Sequence, residues 1–182
     1  MTGYSAEATI GDRIKAARRA RGFRTTRELA EAMSGSKISE HVIENIEAGR
    51  KTDLQVSALL SIARALRVPP AFLLAPLTHP SRTVDLPNLS SDVSSMSVGE
   101  FDAWLAGESD GAYRSSDPSE RSDLAELDAF RELQQLRREL HREGAISAVA
   151  ESPTSASRRA YLEAQTAELT EFLTKAGWLL DN

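Results

Sequence analysis

Apolar positions first recur at helical spacing between Ile10 and Arg21, where Ile10, Ile14 and Ala17 share one face while Arg13, Lys15, Arg18, Arg19 and Arg21 occupy the others. Gly22 closes this helix. Thr25 and Glu28 form a Thr-x-x-Glu capping box that opens a short second helix through Leu29, Ala30 and Met33, ended by the turn signal Ser34-Gly35-Ser36. Ser39 is a good N-cap for a third helix, Ser39–Glu47, with Val42, Ile43 and Ile46 on its apolar side and Gly49 as its stop. A fourth helix runs from Leu54 or Val56 to Arg67 and is expected to bury Val56, Leu59, Leu60, Ile62, Ala63 and Leu66. Val68-Pro69-Pro70 then leads into a last short turn, Ala71 to Leu74.

The pattern lapses over residues 76–96, which hold three prolines, many serines and no sustained period, and this predicts an extended linker. Ser97-x-x-Glu100 is a second capping box, heading a short helix with Phe101, Trp104 and Leu105 that Gly107 ends. A loop-like stretch follows to about Ser122. Leu124, Leu127, Phe130, Leu133, Leu136 and Leu140 then lie three or four apart on a helix that is otherwise charged and polar. After a break at Gly144–Ser155, Ala156–Ala176 repeats the design with Tyr161, Leu162, Leu169, Phe172 and Leu173. Two such stripes predict an antiparallel helical hairpin, with Phe101 and Trp104 plugging the same helical region. The expected fold class is all-α: a five-helix domain over 1–76, a linker over 77–96 and an acidic helical region over 97–182.

Charge sharpens that division. The chain carries a net −5, but residues 1–76 hold 12 Lys/Arg against 8 Asp/Glu, whereas residues 77–182 hold 10 against 19. A basic N-terminal unit can collect phosphates, and an acidic remainder keeps the protein off random polyanions. There is no stretch approaching the ~18 apolar residues of a membrane span, no secretory apolar core at the N-terminus and no cysteine, so the expected setting is the cytoplasm, away from membranes.

Two helices joined by a turn, the second short and capped, match what is needed to place a helix N-terminus in a major groove. Residues 10–75 resemble the Cro/repressor-type (XRE-like) helix-turn-helix proteins. The likeness rests on Ile10-x-x-x-Ile14-Lys15-x-x-Arg18 with Gly22, on Leu29-Ala30, on Ser39-x-x-x-Ile43-x-x-Ile46-Glu47-x-Gly49-Arg50, and on Ile62-Ala63-x-Ala65-Leu66-x-Val68. The resemblance implies a transcriptional regulator of double-stranded DNA, in preference a repressor, of which a phage or prophage immunity repressor is a special case.

It also implies that Glu40, His41, Glu44 and Asn45 read bases. Asn45 can both donate to and accept from adenine, Glu40 can accept from cytosine N4, and His41 can donate to guanine. Thr26, Arg27, Ser39, Arg50 and Lys51 are the implied phosphate contacts; Arg24 and Lys37 join them on charge alone, and the resemblance brings Arg18, Arg19 and Arg21 into consideration for DNA as well. The chain departs from the family in three places: one extra residue between Gly22 and Leu29, about three more within Ser34–Lys37, and Thr26 where a glutamine is usual. Glu40 and Glu44, one turn apart, repel each other and any nearby phosphate.

Catalysis is not expected. His41, His79 and His141 are scattered without an HExxH, no glycine-rich phosphate loop follows a strand, and neither a metal nor a cofactor is implied. The only lysine after Lys51 is Lys175, in a helical context, which disfavours a self-cleaving Ser/Lys tail. The acidic helices are expected to pair two copies of the chain or to receive a protein partner. The rival reading is therefore an antitoxin-like interaction module in which DNA binding is secondary.

Overall fold

The computed structural model describes Gly3 and residues 9–33, 35–147 and 153–181. All the regular structure among them is helical, apart from one isolated antiparallel bridge between Thr83 and Ser97. Among the described residues, no helix is long and apolar enough to cross a membrane. The chain divides into two compact units, residues 1–106 and residues 107–182.

The first unit opens with α1 (Ile10–Ala20), α2 (Thr26–Ala32), α3 (Glu40–Glu47), α4 (Val56–Leu66) and α5 (Ala71–Leu74). Local chemistry sets the ends. The Thr9 hydroxyl accepts from the Asp12 N–H at the head of α1, and Thr25 and Glu28 exchange both bonds of the capping box at the head of α2. Ile14, Leu29, Ile43, Ile46, Ile62, Leu66 and Leu73 are fully buried and form one core. Only part of the expected α4 stripe joins it, since Val56 and Leu60 are 71% and 50% exposed. Leu59, Ile62, Ala63 and Leu66 already cover the contact face, and Val56 and Leu60, one turn apart, lie to its outer side.

Residues 77–96, expected as an extended linker, fold onto this unit. Val84 donates its N–H to Met96 and Val98 to Arg82, at 3.1 and 2.7 Å, so the segment doubles back on itself. It includes α6 (Ser91–Ser94) and leads into α7 (Val98–Ala106). Ala75, Val84, Val98 and Phe101 make a second small core, flanked by Leu77, Leu86, Leu89, Val93, Met96 and Trp104. Phe101 and Trp104 thus plug the first unit, not the hairpin.

The clasp is Arg13. It has no exposed surface, and its guanidinium donates from Nε to the Leu73 carbonyl, from Nη2 to the Leu74 carbonyl and from both Nη atoms to Asp85 at 2.9 and 3.0 Å. A charge this deep is tolerable only with such pairing. It was placed on a polar face by pattern because its partners lie 60 to 72 residues away.

In the second unit, α8 (Pro118–Ser147) and α9 (Pro153–Lys175) pack antiparallel. Trp178, just after α9, stacks on Phe130 with centroids 5.2 Å apart and donates its ring N–H to Glu126, while Arg158 near the start of α9 pairs with Glu143 at 3.0 Å. The helices are longer than expected: α8 begins before Ser122 and runs through Gly144, and α9 begins before Ala156. The rest of the predicted break, 148–152, lies outside the described residues. Leu133, Leu162 and Leu173 are buried between them, but Tyr161 and Phe172 are 64% and 47% exposed. On α9 the half-buried Thr166 and Thr170 accompany Leu162, Leu169 and Leu173 on the inner face, each threonine bonding the carbonyl one turn back.

Candidate nucleic-acid interface

The third helix is fixed by three contacts. Ile43 and Ile46 enter the core, Gly11 of α1 lies so close to the Ile46 carbonyl that an added Cβ would collide with its oxygen, and Glu47 pairs with Arg18. That pair is bidentate, with Nε and Nη2 of Arg18 at 2.6 and 2.8 Å from the two carboxylate oxygens, and the side chains are 5% and 7% exposed. The remaining nitrogen of Arg18 donates to the carbonyls of Phe23 and Arg24, so one side chain holds the turn after α1 and the end of α3. Its hydrogen bond to Glu47 outweighs desolvation and raises its pKa, which keeps it charged. Arg18 is therefore a structural residue, with all three guanidinium nitrogens engaged within the unit; Arg19 and Arg21 remain exposed.

The opposite side of α3 faces solvent. Glu40, His41 and Glu44 are exposed and Asn45 is half-buried. His41 Nδ1 lies 3.8 Å from Glu44, a loose contact between well-solvated groups. The Thr26 hydroxyl donates to Glu40 at 3.5 Å, so the N-termini of α2 and α3 meet there. Arg50 Nε donates to the Asn45 side-chain oxygen at 2.8 Å, and the N–H groups of Arg50 and Lys51 both donate to the Asn45 carbonyl. Asn45 thus organises the turn after α3, and pairing both ends of its amide with adenine requires Arg50 to let go.

Of the other expected phosphate contacts, Arg24, Arg27, Lys37, Ser39 and Arg50 are exposed, while Thr26 and Lys51 are half-buried. Ser39 makes no capping bond with its side chain. Arg27 is held by Glu31 at 2.9 Å, and this bond, with added attraction from Glu31 and Glu40, raises its pKa. A cleft of about 600 Å³ lies between α1, α2 and α3 and gathers Thr26, Glu40, Glu44 and Arg50 with Lys15 and Thr25. His41, Asn45, Arg24, Arg27, Lys37, Ser39 and Lys51 do not line it. Lys15 was not among the expected site residues; its position next to Ile14 and one turn before Arg18 on the basic helix was the available signal.

The charge of this unit is nearly balanced. Residues 1–106 hold 13 Lys/Arg against 12 Asp/Glu, because the segment after 76 adds Arg82 but also Asp85, Asp92, Glu100 and Asp102. Residues 107–182 hold 9 against 15. Comparison with known proteins finds no matching family model and no match among curated proteins or solved structures.

Proposed function

We propose that the first unit is a sequence-specific double-stranded DNA-binding domain of a transcriptional repressor, with α2 and α3 as its helix-turn-helix. The observation behind this reading is the anchoring of α3: Ile43, Ile46 and Glu47 are fixed inward while Glu40, His41 and Glu44 stand in water next to the start of α2. A helix held this rigidly presents side chains in one register, as base readout demands. Two adjacent helix N-termini, with Ser39, Thr26 and Arg27 at them and Arg50 lining the same cleft as Thr26, suit phosphate oxygens. Glu40 then accepts from cytosine N4 and His41 donates to guanine, each pairing contributing about 1–3 kcal/mol of discrimination. With the unit almost neutral, the nonspecific phosphate term is small, and specificity rests on these few contacts.

The second unit supplies pairing. A two-helix layer buries few large side chains, and Tyr161 and Phe172 remain exposed on α9, which suits a second copy completing a four-helix arrangement. The same exposed aromatics on an acidic hairpin favour, as a second reading, a basic protein partner of the antitoxin-target kind.

The test is selection from random duplexes at stepped salt, with the whole chain and with residues 1–106. A short enriched motif that His41→Ala and Glu40→Ala alter at single positions is the expected result, read as an inverted repeat only with the whole chain. No enrichment with either protein, even at low salt, overturns the DNA reading; co-purification of one stoichiometric basic protein with the whole chain then establishes the second.

A further inference from the structure

Away from the α2–α3 face, the C-terminal ends of α1, α2 and α4 surround an open cleft of about 1070 Å³. Arg21, Arg64 and Arg67 line it, Phe23, Met33 and Ala65 supply apolar surface, and no Asp or Glu lines it among the described residues. We propose that this cleft binds a small phosphorylated compound with an apolar ring body, of the nucleoside monophosphate class.

Charge gives the first argument. Basic residues at helix C-termini ordinarily compensate the macrodipole, and that is the alternative explanation for these three. Three helix ends contribute roughly −1.5 elementary charges, whereas three guanidinium groups supply twice that, leaving an excess of roughly +1.5. No carboxylate relieves it: among the described contacts, the Arg21 guanidinium donates to the Arg67 carbonyl, at 3.3 Å, and none of the three arginines pairs with a carboxylate. A phosphate dianion matches the excess, and guanidinium forks fit its oxygens bidentately.

Backbone geometry gives the second. Arg67 caps α4 in the left-handed region, at φ 54° and ψ 46°. Glycine adopts that conformation without the steric penalty an arginine incurs, and glycine already serves in the left-handed turns at Gly22, Gly35 and Gly49. A strained residue that is also one of the three cations at the cleft points to a use for its side chain. The cleft's volume is just above the usual range of ligand sites, and the half-buried Phe23 offers apolar surface against which a planar ring can lie.

The inference is independent of the DNA reading, because it is read with small molecules alone. Titration calorimetry of the whole chain at low salt uses AMP, ADP and pyrophosphate, with adenosine as the uncharged control. One-to-one binding of AMP is expected, lost on replacing the phosphate by adenosine's hydroxyl and weakened about tenfold by Arg64→Gln and by Arg67→Gly. Arg67→Gly relieves the left-handed strain, so its Tm should equal or exceed that of the parent, which separates loss of the ligand from loss of the fold. Absence of saturable binding by all three phosphates overturns the proposal, as does equal affinity of Arg67→Gly and the parent. Displacement of AMP by a short mixed-sequence duplex, with duplex affinity lowered uniformly by Arg64→Gln, assigns the cleft to DNA backbone and overturns it too.

Discussion

Arg18 and Glu47 meet in a bidentate pair, at 2.6 and 2.8 Å, between the third turn of α1 and the last residue of α3, both nearly sealed from water. The contact spans 29 residues of sequence and determines how the proposed DNA-reading helix sits on the rest of the unit.

Removing one member strands the other. Glu47→Ala leaves the Arg18 guanidinium with two carbonyls and no carboxylate in a site that is 5% exposed, which should cost about 3–5 kcal/mol. The double change Arg18→Met with Glu47→Leu removes both charges and should recover most of that loss. Urea unfolding of the singles and the double measures the coupling. A loss below about 1 kcal/mol for Glu47→Ala would mean that the pair is as weak as a surface bridge.

A second buried guanidinium ties down the segment after α5. Asp85→Ala deletes the carboxylate facing Arg13, whose side chain has no exposed surface, and should destabilise the first unit by about 3 kcal/mol. That is the lower end of the range because Asp85 itself is 23% exposed. Expression of residues 1–76 should fail or yield an unstable domain, while residues 1–106 fold; equal thermal stability of the two fragments contradicts the clasp.

Two glycines in helices should respond oppositely to alanine. Gly11→Ala drives a Cβ into the Ile46 carbonyl, where backbone has to move, and should cost about 1–3 kcal/mol despite better helix propensity. Gly144→Ala in α8 meets nothing within 4 Å and should stabilise by about 0.5–1 kcal/mol. Paired melting curves decide it, and a neutral Gly11→Ala would show that α1 and α3 can separate freely.

Acid should weaken both units through their caps. Glu100 accepts from the N–H and the hydroxyl of Ser97, at 2.8 and 2.7 Å, and these bonds lower its pKa. Asp117 accepts from the N–H groups of Glu120 and Ser119 at the head of α8, and its pKa is lowered by them in that order. A carboxyl whose folded pKa lies below its unfolded value contributes stability that is fully present above the unfolded value, near 4, and lost as pH falls through the folded one. Glu100→Gln should therefore lower Tm at neutral pH and converge on the parent as pH falls through the lowered folded pKa of Glu100. A Tm difference unchanged across that range would exclude the carboxylate as the cause.

The elements were legible in the sequence wherever their cause is local. Capping boxes at Thr25–Glu28 and Ser97–Glu100, glycine stops and apolar spacing of three or four act within one or two turns, so the pattern places α1 to α5 almost to the residue and indicates both hairpin helices. Burial of Arg13 and Arg18 was not legible, because an arginine at a given helical position looks the same whether it faces water or a carboxylate 72 or 29 residues away. Nor was the folding of residues 77–106 onto the first unit, since prolines and serines mark an irregular chain without saying whether Val84, Leu86 and Leu89 find an apolar surface. That docking also cancelled most of the basic excess on which charge alone suggested a phosphate-collecting domain. The sequence by itself determined where the first five helices start and stop; tertiary structure decided how far the hairpin helices extend, which faces are inside and which charges remain for a partner, because burial depends on contacts between residues that chain order keeps far apart.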